Sequence, residues 1–253
     1  MATRAALEPD ADEPYRSSLD HLRDELARLD LLIRSQVVRA RQAAGDDAWR
    51  GMAISDAEID ALLVRTLGTP PWDGAAVGPS LAEAHALTDR LAAAIERRCS
   101  NTEAPLRLVE LAHRFALTRF DLDLVLIALA PELDLRYERL FAYLHDDVTR
   151  KRPSVDLALH LLCRSLDERF AARARFAAGA PLVRHGLVHL VGDAASPPLI
   201  AHALKVDDRV VDWLHGGAEL EPRLARAAQR IAPAIAIEAL ALPGPLERTQ
   251  KSQ

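Results

Sequence analysis

The chain has 253 residues, a formal net charge of -5 and a hydrophobic fraction of 49%. This length fits one large domain or two smaller ones, and the hydrophobic fraction suffices for a core. The negative charge argues against a protein that coats nucleic acid or acidic membranes. Only 4% of the residues are aromatic, so leucine and alanine must fill the core. Their abundance, beside arginine and glutamate, favours a mostly helical fold.

The cysteine content and the first residues indicate the compartment. Cys99 and Cys163 are too few for a disulfide framework, and neither belongs to a C-x-x-C motif. The beginning, MATRAALEPDADEP, is polar and acidic, unlike a signal peptide. No run approaches the roughly 20 apolar residues of a membrane-spanning helix. We therefore expect a reduced, cytoplasmic protein that does not enter the membrane.

A long helix is the first predicted element. It follows residues 1–16, which are charged, contain two prolines and are predicted to form a disordered tail. Ser17 or Ser18 would be its N-cap. Large aliphatic residues then recur every three or four positions, at Leu19, Leu22, Leu26, Leu29 and Ile33. We favour one arm of an intramolecular hairpin, and the alternative is a dimerising coiled coil with self-association through 17–43.

Two further helices are predicted by capping boxes, SDAE at 55–58 and SLAE at 80–83. They open helices over about 56–67 and 81–99, joined by a loop rich in glycine and proline. These elements make residues 17–100 a helical unit. The polar stretch SNTEAP directly after it is the expected boundary.

Short helices with tight connections follow the boundary. Five are predicted, over 106–116, 120–130, 135–146, 153–163 and 166–177. Pro131 is expected to stop the second of these, and Pro153 to lie in the first turn of the fourth. Six residues in and around the third should be mainly core: Leu133, Leu135, Tyr137, Leu140, Phe141 and Leu144.

The next stretch, PLVRHGLVHLVGD at 181–193, alternates apolar and polar residues and predicts a strand or a short hairpin. A second extended piece follows in LIAHALKV. Residues 207–217 predict a short helix that Asp207 or Asp208 caps and Gly216 closes. Trp213 should pack this helix back onto the domain.

Several helices followed by a β-hairpin are the layout of a winged helix. The predicted fold is therefore mostly α, with an N-terminal helical hairpin or bundle and then a winged-helix-like domain at 106–217 that carries a short β-hairpin. Residues 218–253 are predicted to be a C-terminal helix and linker.

Catalytic motifs are missing from the sequence, which has no phosphate-binding loop, nucleophile elbow or H-E-x-x-H. His185 and His189 could face one side of the predicted strand, but a zinc site needs further ligands. Paired carboxylates stand at predicted helix ends, at Asp121/Asp123, Asp146/Asp147 and Asp207/Asp208. Acid-base catalysis needs carboxylates that converge on a pocket. We predict no catalytic, cofactor-binding or metal-binding residue and no enzyme, and an enzyme of unknown type is the alternative.

A basic run, Arg150, Lys151 and Arg152, directly precedes the fourth predicted helix of the domain. With Arg164 and Arg184 it supplies the candidate contacts to a protein partner or to nucleic-acid phosphates. We expect the two aspartates before the run, Asp146 and Asp147, to compensate its charge.

DNA binding is the less favoured interpretation of this basic run. The polar side of the helix after it carries Asp156, His160 and Arg164, so it offers an acid and a histidine, whereas helices that contact base edges usually present Arg, Lys, Asn, Gln or Ser. Residues 106–230 hold 18 basic and 17 acidic side chains. That balance is poor for binding that depends on counterion release. We therefore favour protein docking, with a DNA-binding regulator as the alternative.

Two stretches carry a resemblance to a known family: LAPELDLRYERLFAYLHDDVTRKRPSVDLALHLL at 129–162 and LIAHALKVDDRVVDWLHG at 199–216. They resemble the N-terminal region of bacterial AAA-type ATPases associated with extracellular contractile injection systems, and the resemblance covers most of 17–217. In that family the region is a variant winged helix before an ATPase core. This chain has no Walker motif, so no catalytic residue carries over. The resemblance implies a non-catalytic regulatory or adaptor region, whose partner is an ATPase core in cis or an injection-system component.

Overall fold

The computed structural model describes residues 13–43, 79–192 and 197–217. They belong to one compact unit, Met1–Gly217, and Ala218–Gln253 form a second. The predicted helix at 56–67 and the predicted C-terminal helix lie outside the described residues, as do nearly all of the loop between the capping boxes and most of the tail.

Helices dominate the described residues, which confirms the mostly α fold class. They are α1 (Ser18–Ala43), α2 (Pro79–Ser100), α3 (Arg107–Phe115), α4 (Arg119–Leu133), α5 (Arg136–His145), α6 (Val155–Leu162), α7 (Leu166–Ala172), α8 (Pro181–Arg184) and α9 (Asp208–Leu214). Short 3₁₀ turns lie at Arg173–Phe176, directly after α7, and at Leu199–Ala201. Among the described residues, none of the helices is long and apolar enough to cross a membrane.

The β-hairpin consists of β1 (Val188–Val191) and β2 (Ala203–Val206), which pair antiparallel with Val188 opposite Val206. Ser154, just before α6, forms an isolated bridge with Ala203. The order of α6, α7 and hairpin, with a third short edge before α6, is the arrangement of a winged helix. The predicted short β-hairpin is therefore confirmed.

The long helix α1 packs its apolar residues against other helices of the same chain. Leu22, Leu29 and Ile33 belong to the main core with α4 and α6, whereas Leu31 packs with Leu91 and Ile95 of α2 in a second cluster. An α1 that is apolar on two sides can contact both neighbours at once. This is the intramolecular packing of a hairpin arm. Self-association through 17–43 stays a prediction, as does the division into units 17–100 and 106–217.

The centre of the fold is α4. Seven consecutive side chains, from Leu124 to Ala130, are completely buried. The helix begins with a capping box, in which the Thr118 hydroxyl accepts from the Asp121 N–H and the Asp121 carboxylate accepts from the Thr118 N–H. Because this segment is apolar on every side, it can be covered by helices and the hairpin together.

Neither proline acts as the sequence predicted. Pro131 does not stop α4, which continues to Leu133, because the proline is in the last turn and the helix still closes through the Asp134 N–H on the Ala130 carbonyl at 3.1 Å. Pro153 precedes α6 instead of lying in its first turn. The N-cap is Ser154, whose hydroxyl accepts from the Leu157 N–H at 3.1 Å.

The strand predicted from residue 181 begins only at Val188. Pro181 occupies the first position of α8, where its fixed φ favours a helix, and Gly186 makes the following turn with φ of +63°. His185 therefore ends α8 while His189 lies on β1, so the two histidines do not share a strand. Among the described residues no group of three or more His, Cys, Asp and Glu could hold a metal.

The core predicted around α5 is correct except for Leu135. Tyr137, Phe141 and Leu144 are buried at helical spacing, and Leu133 and Leu140 pack against them. Leu135 is 70% exposed, because it precedes the helix and lies outside its buried stripe.

The last helix, α9, matches its prediction. Asp207 is the N-cap, accepting from the Arg209 N–H at 3.0 Å, and Gly216 follows the helix with φ of +103°. Trp213 packs on the core as expected. The Arg107 guanidinium lies 4.5 Å from the centre of its ring and donates to the Trp213 carbonyl at 2.5 Å.

Candidate docking surface

Each residue of the basic run contacts another part of the protein, although the side chains stay at the surface. Arg152 pairs with Glu132 at 2.9 Å and Lys151 with Glu138 at 3.6 Å, and Arg150 donates to the Ala201 carbonyl at 3.0 Å. We expected Asp146 and Asp147 to compensate these charges, and part of this compensation is present: after the hydrogen bonds from Thr149, the charge of Arg150 also lowers the pKa of Asp147. The chain reverses after α5, which brings the run beside acidic residues of α4 and α5 that are distant in sequence.

Of the other two candidates, Arg164 pairs with Asp89 of α2 at 2.5 Å. Arg184 is exposed at the end of α8. The structure thus brings Arg150, Lys151 and Arg152 together at one corner, while Arg164 is directed toward α2. Whether any of the five touches nucleic acid or a partner stays a prediction.

The helix after the basic run, α6, is largely buried and offers few side chains to the edges of DNA bases. Within α6, the side chains Val155, Leu157, Leu159, His160 and Leu161 are all buried. Asp156, on its polar side, accepts from Arg169 at 2.9 Å. The sequence VDLALHLL is apolar on nearly every side, so the helix is enclosed by the core.

The helix that directly follows α6, in the place of a recognition helix, is α7. It exposes Asp167, Glu168 and Phe170, the last at 58%. Its arginine, Arg169, is mostly buried and paired with Asp156. Carboxylates repel phosphates, and an exposed phenylalanine is a typical anchor at protein interfaces. The exposed surface of α7 is therefore acidic and partly apolar.

An open groove of about 760 Å³ lies along α5 beside the basic corner. We call it the α5 groove, and its lining residues are Leu135, Glu138, Arg139, Ala142, Tyr143, Asp146, Asp147, Val148, Thr149 and Lys151. Val148 is 85% exposed and Tyr143 45% exposed. Three exposed large apolar side chains at one groove, with a charged rim, are typical of a protein-binding surface.

His145 and Asp147 fix the loop that forms one side of the α5 groove. The Nε2 of His145 donates to the Arg152 carbonyl at 3.1 Å, and burial together with the charge of Arg150 lowers the pKa of this histidine to about 4. Asp147 accepts from the N–H and the hydroxyl of Thr149 at 2.9 and 2.6 Å. These bonds hold the Asp147 pKa below its usual range, so this carboxylate is charged at neutral pH.

A buried charge cluster between α1 and α4 was missed by sequence reasoning. Arg119 donates to both oxygens of Glu25, and Arg28 binds Asp123 as well as Glu25. The available signal was the spacing of His21, Glu25 and Arg28, which places three polar side chains on one face of a helix. Nothing in the sequence indicates that Arg119 and Asp123, which lie 94 and 95 residues after Glu25 and Arg28, supply the opposite charges.

One part of this cluster superficially resembles a nucleophilic site. Cys99 Sγ lies 3.4 Å from His21 Nε2, and the same nitrogen is 3.6 Å from Glu25. A catalytic base instead contacts the nucleophile and its orienting carboxylate through different ring nitrogens. Burial also raises the Cys99 pKa to about 11, which keeps the thiol protonated and unreactive.

The carboxylates considered for catalysis have capping positions at three different helices. Asp121 belongs to the capping box of α4, Asp146 is the C-cap of α5 and Asp207 is the N-cap of α9. Aspartate at a helix terminus can cap free backbone groups or interact with the helix dipole, so these positions explain the three residues without a catalytic role. The structure thus places these three carboxylates at different helix ends, and the absence of enzymatic activity stays a prediction.

The family model described as the variant winged helix domain matches residues 3–228. The chain therefore belongs to the variant winged-helix family. No curated protein and no solved structure matches the chain.

Proposed function

We propose that this chain is a non-catalytic adaptor region whose winged helix docks onto a protein partner. We further propose that it acts at the front of an AAA-type ATPase of a contractile injection system, with an ATPase core in cis or an injection-system component as the partner. The sequence resemblance at 129–162 and 199–216 supports the second statement.

The observation that carries the docking role is the α5 groove beside a basic corner in which two of the three cations form ion pairs. Arg152 and Lys151 are paired with Glu132 and Glu138, so fewer of their charges are available for phosphates. Exposed Leu135, Tyr143 and Val148 offer apolar area that a partner protein can bury.

Co-purification with defined components tests this function. The full chain would be co-expressed with the ATPase core and the tail proteins of an injection system, and we expect one of them to co-purify in stoichiometric amounts. Tyr143→Asp with Val148→Asp should abolish the association. Leu19→Asp, at an exposed leucine of α1, is the matched control and should leave it intact. Failure with every component would contradict the adaptor role.

Fluorescence anisotropy with duplex DNA tests the alternative. The proposal predicts no binding at low salt. Binding that weakens steeply with salt and is abolished by Lys151→Glu with Arg152→Glu would replace the docking function with DNA binding.

A further inference from the structure

From the shape and charge of the α5 groove we infer its ligand: an amphipathic helix of a partner protein, with apolar side chains on one face and Lys or Arg at one end. This inference rests on the proposed docking function and specifies the partner's chemistry.

The length of the groove fits a helix. Leu135, Arg139, Ala142 and Asp146 all line it, and their spacing of four, three and four residues follows one face of α5. From Leu135 to Asp146 the groove extends about 16 Å, which is about three turns of an α-helix. A partner helix of this length presents apolar side chains at i, i+3 or i+4 and i+7.

The apolar contacts lie on both sides of the groove. Tyr143 belongs to α5, Leu135 directly precedes this helix, and Val148 belongs to the loop after it. All three are well exposed, so a helix that lies between them removes apolar surface from water on two sides. The loop is held in place by the bond from His145 to the Arg152 carbonyl, which provides a preformed wall.

The charge at one end of the groove selects a basic partner. The carbonyl groups at the C-terminal end of α5 carry partial negative charge, and the ionised Asp147 adds a full one. Of the nearby cations, Lys151 is paired with Glu138 and Arg152 with Glu132. Arg150 acts on Asp147, but two carboxylates, Asp146 and Asp147, line this end of the groove. A Lys or Arg of the partner would therefore meet a net negative potential at this end.

Nuclear magnetic resonance with two synthetic peptides tests the inference on the full-length chain. Both peptides have 14 residues and the same leucine stripe (about four turns), and one carries lysines at its end where the other carries glutamates. We expect only the lysine peptide to shift the amide signals of residues 135–151. Val148→Asp should abolish these shifts, and it should leave thermal unfolding unchanged because its side chain is exposed.

Asp147→Asn is the sharpest variant. Asparagine keeps the side-chain oxygen that accepts from Thr149 but removes the charge, so the lysine peptide should bind about three- to tenfold more weakly. Equal binding of both peptides, shifts that map outside the groove, or no shifts at millimolar peptide would each overturn the inference. So would sedimentation showing that a second copy of the chain occupies the groove.

The outcomes separate this inference from the proposed function. Co-purification with injection-system components in the absence of peptide binding would leave the adaptor role standing and remove the helix-in-groove inference. Binding of the lysine peptide without co-purification would do the reverse.

Discussion

Arg119 of α4 donates hydrogen bonds to both carboxylate oxygens of Glu25 of α1, two residues that are separated by 94 positions in the chain. Glu25 is almost fully buried. Burial alone would raise its pKa, but the bonds from His21 and Arg119 and the charges of Arg119 and Arg28 hold that pKa well below its usual range. The pair therefore joins the first helix to the centre of the winged helix.

Removing the charge of Glu25 should destabilise the whole unit. Glu25→Gln leaves Arg28 and Arg119 with one of their two shared anions, Asp123, and we expect the free energy of unfolding to fall by about 3 kcal/mol or more. Urea unfolding measures the loss. Asp89→Asn is the control, since it breaks the exposed pair with Arg164 and should cost less than about 1 kcal/mol. Equal losses in the two variants would contradict this view of the buried cluster.

Leu29→Ala should lower the stability of α4 and α6 together with that of α1. Leu29 is buried in the core that those helices share, and a buried Leu→Ala substitution costs about 2–5 kcal/mol. Hydrogen exchange should show lower protection in all three helices by a similar factor. Leu19→Ala, at an exposed position, should change stability by less than about 0.5 kcal/mol. Loss of protection confined to α1 and α2 would indicate that residues 17–100 fold as a separate unit.

His145 should make the protein less stable in mild acid. Its pKa is lowered from 6.5 to about 4, so between these values the unfolded chain binds a proton that the folded protein does not. Stability from this neutral histidine is complete above pH 6.5 and falls as the pH drops toward 4, by up to about 3 kcal/mol. Chemical unfolding across this pH range measures the slope.

His145→Gln is the matched variant for that slope, because glutamine can still donate to the Arg152 carbonyl but does not titrate. The slope between pH 6.5 and 4 should become shallower. A smaller residual slope should remain, since burial also lowers the pKa of His85. Glu25 contributes to stability through its charged form, because its pKa is lowered in the folded protein, and this contribution is lost only as the pH falls below about 4.5. An unchanged slope in His145→Gln would contradict the assignment.

Arg107→Lys should loosen the C-terminal end of α9. Lysine keeps the charge, but it loses the planar group that stacks on Trp213 and reaches the carbonyls of Trp213, Gly216 and Gly217. We expect a loss of about 1–2 kcal/mol. The Trp213 emission should also move to longer wavelength in a background of Trp49→Phe and Trp72→Phe. Arg114→Lys is the control, because Arg114 is 5.5 Å from the ring centre and exposed.

Local patterns allowed much of the fold to be predicted from the sequence. The spacing of Leu22, Leu29 and Ile33 predicted a helix with a buried side, and Asp207 and Gly216 marked the two ends of α9. Failures occurred where a nearby residue outweighed a general rule. Pro181 begins a short helix in a segment whose alternation of apolar and polar residues favours a strand. Ser154 is the N-cap of α6, so Pro153 lies before this helix and not in its first turn as predicted.

The partners of the basic run could not be predicted, because they depend on how the chain returns on itself. Lys151 pairs with Glu138 of α5, and Arg152 with Glu132, 20 residues earlier. Sequence distance favoured Asp146 and Asp147 instead. The α5 groove could not be predicted from the sequence either. Leu135 and Tyr143 are large side chains of the kind that usually fill a core, and they are exposed only because of the way α5 packs.

The buried charge cluster has a consequence for how the sequence can change in evolution. Two anions, Glu25 and Asp123, face two cations, Arg28 and Arg119, and a single substitution that removes any of these charges leaves the cluster unbalanced by one charge. Replacing all four with apolar residues of similar volume would not carry that penalty. Related sequences should therefore keep the four charges as a set or lose them as a set, so that these positions vary together rather than one by one.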